Sequence, residues 1–322
     1  METHIQAEPV GKTKGTDFQK ITPFLWIDNQ TEEAVNFYTS IFNNSKIKIV
    51  THLSPDAAKR LGKKEGSLLT ICFQIEGQEF TAINGGPDFK INPSISFFVN
   101  CDTAEEIDRL WLKLSDGGNV LMELDKYPFS EKYGWVKDKF GVSWQLILMD
   151  RKQKLTPCLM FTGEHFKQAE EAINFYISIF RNPTLPSENT GIIQLEYYQP
   201  GQGPEGAVVH ARFKLNGQEF IAMDSHLENN FNFTPAISFV VNCNTQEEID
   251  YYWNKLSEGG AEEAQICGWL ADKFGVSWQI VPAVIEEWLS GPDPARTDRV
   301  MQAVMQMKKL DFKTLQQAYE QQ

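Results

Sequence analysis

No apolar run in this sequence approaches the roughly 20 residues that a membrane-spanning helix requires, so no span is expected. Basic clusters are missing too: 30 Lys and Arg stand against 43 Asp and Glu, a formal net charge of -13. A nucleic-acid partner is therefore not expected, because phosphate contacts need grouped cations. Cysteine is sparse and odd in number (Cys72, Cys101, Cys158, Cys243 and Cys267), with no CxxC pair, which points to a reduced, cytoplasmic protein. Histidine is also scarce. His4 lies near the start, His52, His165 and His210 have no counterparts in the repeat described below, and no Ser-His-Asp or Cys-His spacing is supported. The leading stretch METHIQAEPVGKTKGTDFQK has no apolar core segment, so a secretory signal is not expected and residues 1–17 read as a disordered arm.

What is there is a repeat. Thr31–Phe42 (TEEAVNFYTSIF) returns as Ala169–Phe180 (AEEAINFYISIF), and GQEF occurs at Gly77–Phe80 and Gly217–Phe220. SISFFVNC at Ser94–Cys101 matches AISFVVNC at Ala236–Cys243, and DKFGVSWQ stands at both Asp138–Gln145 and Asp272–Gln279. The blocks keep their order while the intervening loops change length, as loops tolerate. Two copies of one domain follow, at about 18–150 and 154–283, with a tail at 284–322. At 42% hydrophobic residues each copy can bury a core.

Within a copy a weaker rhythm appears. Ile21–Asp28 reads as a strand, and Thr31–Phe42 carries Ala34, Val35, Tyr38, Ile41 and Phe42 at helical spacing, with Thr31 and Glu33 suited to its start. Lys46–Leu53, Ser67–Glu76 and Glu79–Ile83 read as strands, the last two joined at Gly77. The pattern repeats from Ser94–Asn100 through a helix with Ile107, Leu110, Trp111 and Leu114 on one face, ended by Gly117-Gly118. The fold class is thus α+β: four βαβββ modules in two domains, followed by a helical tail.

This order of elements resembles the vicinal-oxygen-chelate superfamily of glyoxalase I, extradiol dioxygenases and bleomycin-resistance proteins. PFLWIDNQTEEAVNFYTSIFNNSKI from Pro23, with SISFFVNC and DKFGVSWQ, narrows the resemblance to the PhnB-like family, often labelled 3-demethylubiquinone-9 3-methyltransferase. It covers nearly all of residues 21–283. The resemblance implies curved sheets forming open cups and modules paired between chains. With the short linker Met149–Leu155, an internal pseudo-dimer of the two copies is expected, with further homo-oligomerisation open. The methyltransferase label is not supported by the residues. The single GxGxxG match, Gly201–Gly206 (GQGPEG), lies between two apparent strands, contains Pro204 and opens no helix, so it reads as a hairpin loop rather than a nucleotide cradle.

Members of the superfamily hold a divalent metal on the cup wall, with ligands from the first, fourth, fifth and eighth strands. Here those positions offer Gln145 and Gln279 on the eighth strand, Ser94 and Ala236 on the fifth, and Asn84 and Asp224 on the fourth; the first strands, from Ile21 and Leu155, offer no credible ligand. No metal or other cofactor is expected. The alternative, a Zn, Ni, Mn or Fe enzyme of lyase, isomerase or dioxygenase type, would rest on Asp224, His226 and Gln279, if the first two share a strand face.

The residues support instead an apolar pocket with a small polar spot. Candidates to line it are Trp26, Asn84, Ser94, Ser96, Tyr133, Gln145, Asp224, Cys267 and Gln279. By strand alternation Trp144 should face the helix and Gln145 the cup. The long segment VLMELDKYPFSEKYGW of the first copy can cover its pocket, whereas AQICGW in the second is short, so the second pocket is altered or architectural. The tail should form a turn at Ile285–Leu289 and a helix from Pro294 to Lys309, then continue or restart over Leu310–Tyr319. The reading that follows is a metal-poor protein that binds a small organic molecule, with catalysis open; sequestration of a drug or metabolite is the other alternative.

Overall fold

The computed structural model describes residues 19–60, 62–181, 190–227 and 231–321; the expected arm at 1–17 lies outside the described residues. The first copy runs β1 (Ile21–Ile27), α1 (Thr31–Ile41), β2 (Lys46–His52), α2 (Pro55–Arg60), β3 (Leu68–Ile75) and β4 (Gln78–Asn84), then β5 (Ile95–Cys101), α3 (Ala104–Ser115), β6 (Asn119–Tyr127), β7 (Ser130–Lys137) and β8 (Ser143–Leu148). The second runs β9 (Leu155–Phe161), α4 (Ala169–Phe180), β10 (Gly191–Tyr197), β11 (Val208–Leu215) and β12 (Gln218–Asp224), then β13 (Ile237–Cys243), α5 (Gln246–Leu256), β14 (Trp269–Ala271) and β15 (Ser277–Pro282). Three helices follow: α6 (Ile285–Leu289), α7 (Pro294–Met305) and α8 (Phe312–Glu320).

Local chemistry sets these boundaries. Thr103 accepts a hydrogen bond from the Glu106 amide at 3.1 Å, and the Glu106 carboxylate accepts from the Asp102 amide at 2.8 Å, a reciprocal start for α3. Thr245 and Glu248 do the same for α5. Thr31 differs from expectation. It is the first residue of α1 but not its cap, and its hydroxyl donates to the Ile83 carbonyl at 3.0 Å, tying the helix to β4. The tail helix α7 stops at Met305 rather than Lys309, and Asp311 caps a new helix through the Thr314 amide at 2.7 Å. The fourth module is short: a single 3-10 turn, Glu262–Ala264, stands between α5 and β14, so two strands rather than three follow its helix.

The sheets cross the repeat. One has the order β14-β15-β13-β1-β4-β3-β2 and the other β10-β11-β12-β9-β5-β8-β7-β6. β1 pairs antiparallel with β13 (Pro23 opposite Phe239) and β9 with β5 (Pro157 opposite Phe97). Each sheet therefore joins the first module of one copy to the second module of the other, and the chain is an internal pseudo-dimer with cups shared between copies.

The helix-bearing faces of both sheets meet in one core that includes Tyr38, Phe73, Phe97, Trp144, Tyr176, Phe213, Phe239 and Trp278. Its organising groups are the aspartates of the repeated DKFG blocks. Asp138, buried, accepts from Tyr38 Oη and Trp144 Nε1 at 2.8 Å each and from the amides of Phe140 and Val142. Asp272 accepts the same four bonds from Tyr176, Trp278, Phe274 and Val276. Four donors from matching positions satisfy each buried carboxylate. Among the described residues no helix is long and apolar enough to cross a membrane.

Candidate functional site

Side chains alternate along a strand, so the residues between the core positions point to the opposite face. On the β10–β6 sheet that face forms an open cup of about 600 Å³. Its apolar wall comes from Phe98, Trp135 and Ile147 of the first copy and Ile221 and Met223 of the second. Met122 and Phe129, from the β6–β7 hairpin, complete its rim, so the long segment of the first copy does border the pocket. Phe129 stacks on Tyr127 at 5.7 Å and meets Tyr133 edge-on at 5.1 Å, which holds the hairpin over the cup.

Gln145 lies in the floor, facing the cup while Trp144 faces the helices, as alternation requires. Its amide is fixed at both ends: Oε1 accepts from Tyr133 Oη at 2.5 Å and Nε2 donates to Ser96 Oγ at 2.8 Å. The protein thus supplies the partners that a buried amide needs.

One side of the cup is charged. Arg212 on β11 pairs with Glu219 at 2.6 Å. Arg151, in the linker after β8, also lines the cup; its Nε donates to the Met149 thioether at 2.7 Å, and it makes no ion pair among the described residues. Burial, and then Arg212, pull the Arg151 pKa down, with Glu219 pulling the other way. His210, two residues before Arg212 on β11, lines the same cup and is held below its ordinary value, first by burial and further by Arg212 and Arg151, with Glu196 pulling the other way. Its imidazole is therefore mainly neutral near pH 7. Glu196 sits at the exposed mouth, its carboxylate accepting from Gln194 Nε2 at 2.8 Å.

The expected site residues divide. Tyr133 and Gln145 line the open cup, and Ser96 supports Gln145 from beneath. Ser94 is buried ahead of β5, where its amide donates to Asn92 and its carbonyl accepts from Met160, outside the cup lining. Trp26 and Asn84 belong to the other sheet. Trp26 donates to the Gly86 carbonyl at 2.8 Å and borders a separate shallow depression beside Phe89; the Asn84 carbonyl accepts from Lys63. Cys267 and Gln279 also belong to the other sheet or its edge. Gln279 donates to Ser238 Oγ at 3.0 Å, and the Cys267 amide donates to the Met307 carbonyl of the tail.

The metal alternative on Asp224, His226 and Gln279 does not assemble. β12 ends at Asp224, so alternation does not extend to His226, which is exposed against Tyr198 at 5.2 Å. The Asp224 carboxylate is consumed by the amides of Ala169 (3.2 Å) and Val208 (2.8 Å). Gln279 is in the opposite sheet. The cup itself offers one imidazole and one exposed carboxylate beside two guanidiniums, a donor set that does not fit a divalent cation. Among the described residues no three His, Cys, Asp or Glu side chains group as ligands.

Arg151, His210, Arg212, Thr156 and Asn100 line the cup and were missed. His210 and Arg212 had a signal: they alternate with Ala211 and Phe213, so they share the face opposite the core.

The equivalent face of the other sheet is filled. Phe24, Val240 and Val281 there pack against Ile285, Trp288, Val300, Leu310 and Leu315 of the tail. The Cys267 and Gly268 amides, next to β14, donate to the Met307 and Lys308 carbonyls, so the tail takes the place that β6 has beside β7.

The family model described as 3-demethylubiquinone-9 3-methyltransferase matches the chain twice, over residues 19–147 and 153–281. No functionally curated protein matches it. A solved structure described as a PhnB protein of 3-demethylubiquinone-9 3-methyltransferase type, from Bacillus cereus, is 44% identical and covers 40% of this chain and 99% of its own, with a TM-score of 0.38. A protein from Staphylococcus aureus is 37% identical over 42% of this chain and 100% of its own, with a TM-score of 0.17. Glyoxalase I from Zea mays is 12% identical and spans 85% of this chain and 98% of its own, with a TM-score of 0.50, a likeness of fold.

Proposed function

We propose, for a chain that belongs to the PhnB-like family described as 3-demethylubiquinone-9 3-methyltransferase and has the glyoxalase fold, that its open cup binds a small organic molecule without a metal. The observation that carries this reading is an apolar-walled cavity of about 600 Å³ with a fixed amide in its floor, on a face whose twin is closed by the chain's own tail. Pockets of this size and lining are the usual form of small-molecule sites. Methyl transfer from a nucleotide-type cofactor has no cradle to support it: GQGPEG lies in the loop between β10 and β11. A metal-dependent lyase, isomerase or dioxygenase would need ligands that the cup does not bring together.

A thermal-shift screen of small neutral, cationic and anionic organic molecules tests the reading, with Met223→Trp filling the cup. Met223 is only partly buried, so the larger ring projects into the cavity. Ligands that raise the melting temperature of the chain and lose that effect in the variant support the proposal. Stabilisation unchanged by the variant, or near-stoichiometric Zn, Ni, Mn or Fe in protein prepared without chelator, would contradict it.

A further inference from the structure

The filled cup supplies a template for what the open one takes. In the strand pairs that line the two cups on this side, the sheets correspond residue by residue. On β2 and β3, Ile49 opposes Cys72 and Thr51 opposes Thr70, with register shifts after Ile47 and after Thr51. On β10 and β11, Gln194 opposes Arg212 and Glu196 opposes His210, with shifts after Ile192 and after Glu196. Thr70 and His210 are thus equivalent, as are Cys72 and Arg212. The chain also leaves the two cups in the same way: the Met149 amide donates to the Cys101 carbonyl after β8, and the Ala283 amide to the Cys243 carbonyl after β15. Arg151 and the start of α6 therefore follow the same exit.

In the filled cup, α6 sets an acid at that place. The Glu286 carboxylate accepts from Thr70 Oγ1 at 3.4 Å, while Ile285 and Trp288 cover the apolar floor. Its partners are neutral, and burial pushes the Glu286 carboxyl up. In the open cup the equivalent positions hold an imidazole and a guanidinium, and the linker adds a second guanidinium that makes no ion pair among the described residues. A half-buried cation with a thioether as partner is poorly compensated, and an arriving anion relieves that cost. Glu219, paired with Arg212 and also acting on Arg151, offsets part of this charge, which leaves two guanidiniums and an imidazole against one buried-side carboxylate; Glu196 adds repulsion from the solvent-exposed mouth, where it is screened.

We propose that the ligand of the open cup is an organic carboxylate on an aromatic or apolar body of one or two rings, its carboxylate held by Arg151, Arg212 and His210 where the tail places Glu286 in the filled cup. This rests on the binding function proposed above. The apolar body lies on Phe98, Ile147 and Ile221, and the guanidiniums accept a planar carboxylate by paired hydrogen bonds.

Calorimetric titration of matched acids and amides (benzoate and benzamide, phenylacetate and phenylacetamide, 2-naphthoate and 2-naphthamide) tests it. At least one acid should bind about tenfold or more tighter than its amide, the ratio expected for one charge-assisted pair. Arg151→Gln should bring the ratio to within about threefold without lowering the melting temperature appreciably, since Arg151 makes no ion pair among the described residues. Glu286→Gln, in the other cup, should leave the ratio unchanged. Equal or tighter binding of the amides, a preference that survives Arg151→Gln, or no binding by any acid overturns the proposal. Amides that bind without preference and are lost in Met223→Trp would sink the carboxylate class alone and leave the cup as a binding site. If Arg151→Gln does not fold, the acid-to-amide ratio in the intact chain decides.

Discussion

The two cups share seven corresponding strands, with β2–β3 and β10–β11 in the same register, and they end differently. In one, the chain goes on from β15 into α6, and Ile285, Trp288, Val300, Leu310 and Leu315 bury against Phe24, Val240 and Val281. In the other, the chain turns through a short linker into β9, and the corresponding face stays open under the β6–β7 hairpin. The filled cup has neutral Thr70 and Cys72 where the open one has His210 and Arg212. Duplication on one chain thus permits what a symmetric dimer forbids: one site serves as core for the tail while its twin keeps a cavity and a charged wall.

The largest effect expected from this contrast is on stability. Trp288→Ala empties the filled cup of a ring that stacks on Tyr319 and meets Phe312 edge-on, and should cost about 3–5 kcal/mol in denaturant unfolding. Phe129→Ala, at the exposed rim of the open cup, should cost about 0.5 kcal/mol or less. Similar costs for the two would mean that the cups do not differ as described.

The aspartates of the DKFG blocks test the opposite side of the comparison, where the copies should behave alike. Asp138→Asn and Asp272→Asn each replace an acceptor of four hydrogen bonds with a side chain that itself donates, and each should cost about 2–3 kcal/mol. A loss in one copy only would break the equivalence.

Acidity gives a smaller signal. Burial pushes the Asp272 carboxyl up to about 6 against the pull of its four donors. The folded state then binds the proton more tightly than the unfolded one. The group's contribution is full below the unfolded carboxyl range and is lost as pH rises through about 6. The stability of the chain relative to Asp272→Asn should accordingly fall between about pH 4 and about pH 6.5. A difference that rises over that interval would reverse the assignment. The smallest effect is at the helix starts: Thr103→Ala and Thr245→Ala should each cost about 1 kcal/mol, equally in both copies.

Much of the fold could be read from the sequence because the repeat marks the modules and period-two alternation marks strand faces. Gln145 and Trp144 were assigned to opposite faces on that basis, and Tyr133 with Gln145 is in the open cup. Alternation tells which face a side chain takes, but not which sheet its strand joins. Trp26, Asn84 and Gln279 lie in the sheet opposite Tyr133 and Gln145, a separation that alternation does not show, because pairing across the repeat depends on long-range register between β1 and β13 and between β5 and β9. Asp224 had the composition of a ligand, yet two backbone amides from distant elements satisfy it, and no local pattern announces them. Arg151 was hidden for another reason: it is in a linker, where no periodicity assigns a direction.

The most direct test of the account is the stoichiometry of calorimetric binding to the full chain by whichever of benzoate, phenylacetate and 2-naphthoate binds most tightly. The account predicts one site per chain, lost in Met223→Trp and kept in Glu286→Gln. Two sites per chain, or a single site that survives Met223→Trp and disappears in Glu286→Gln, would show that the cup assigned to the tail is the one that binds, and would contradict it.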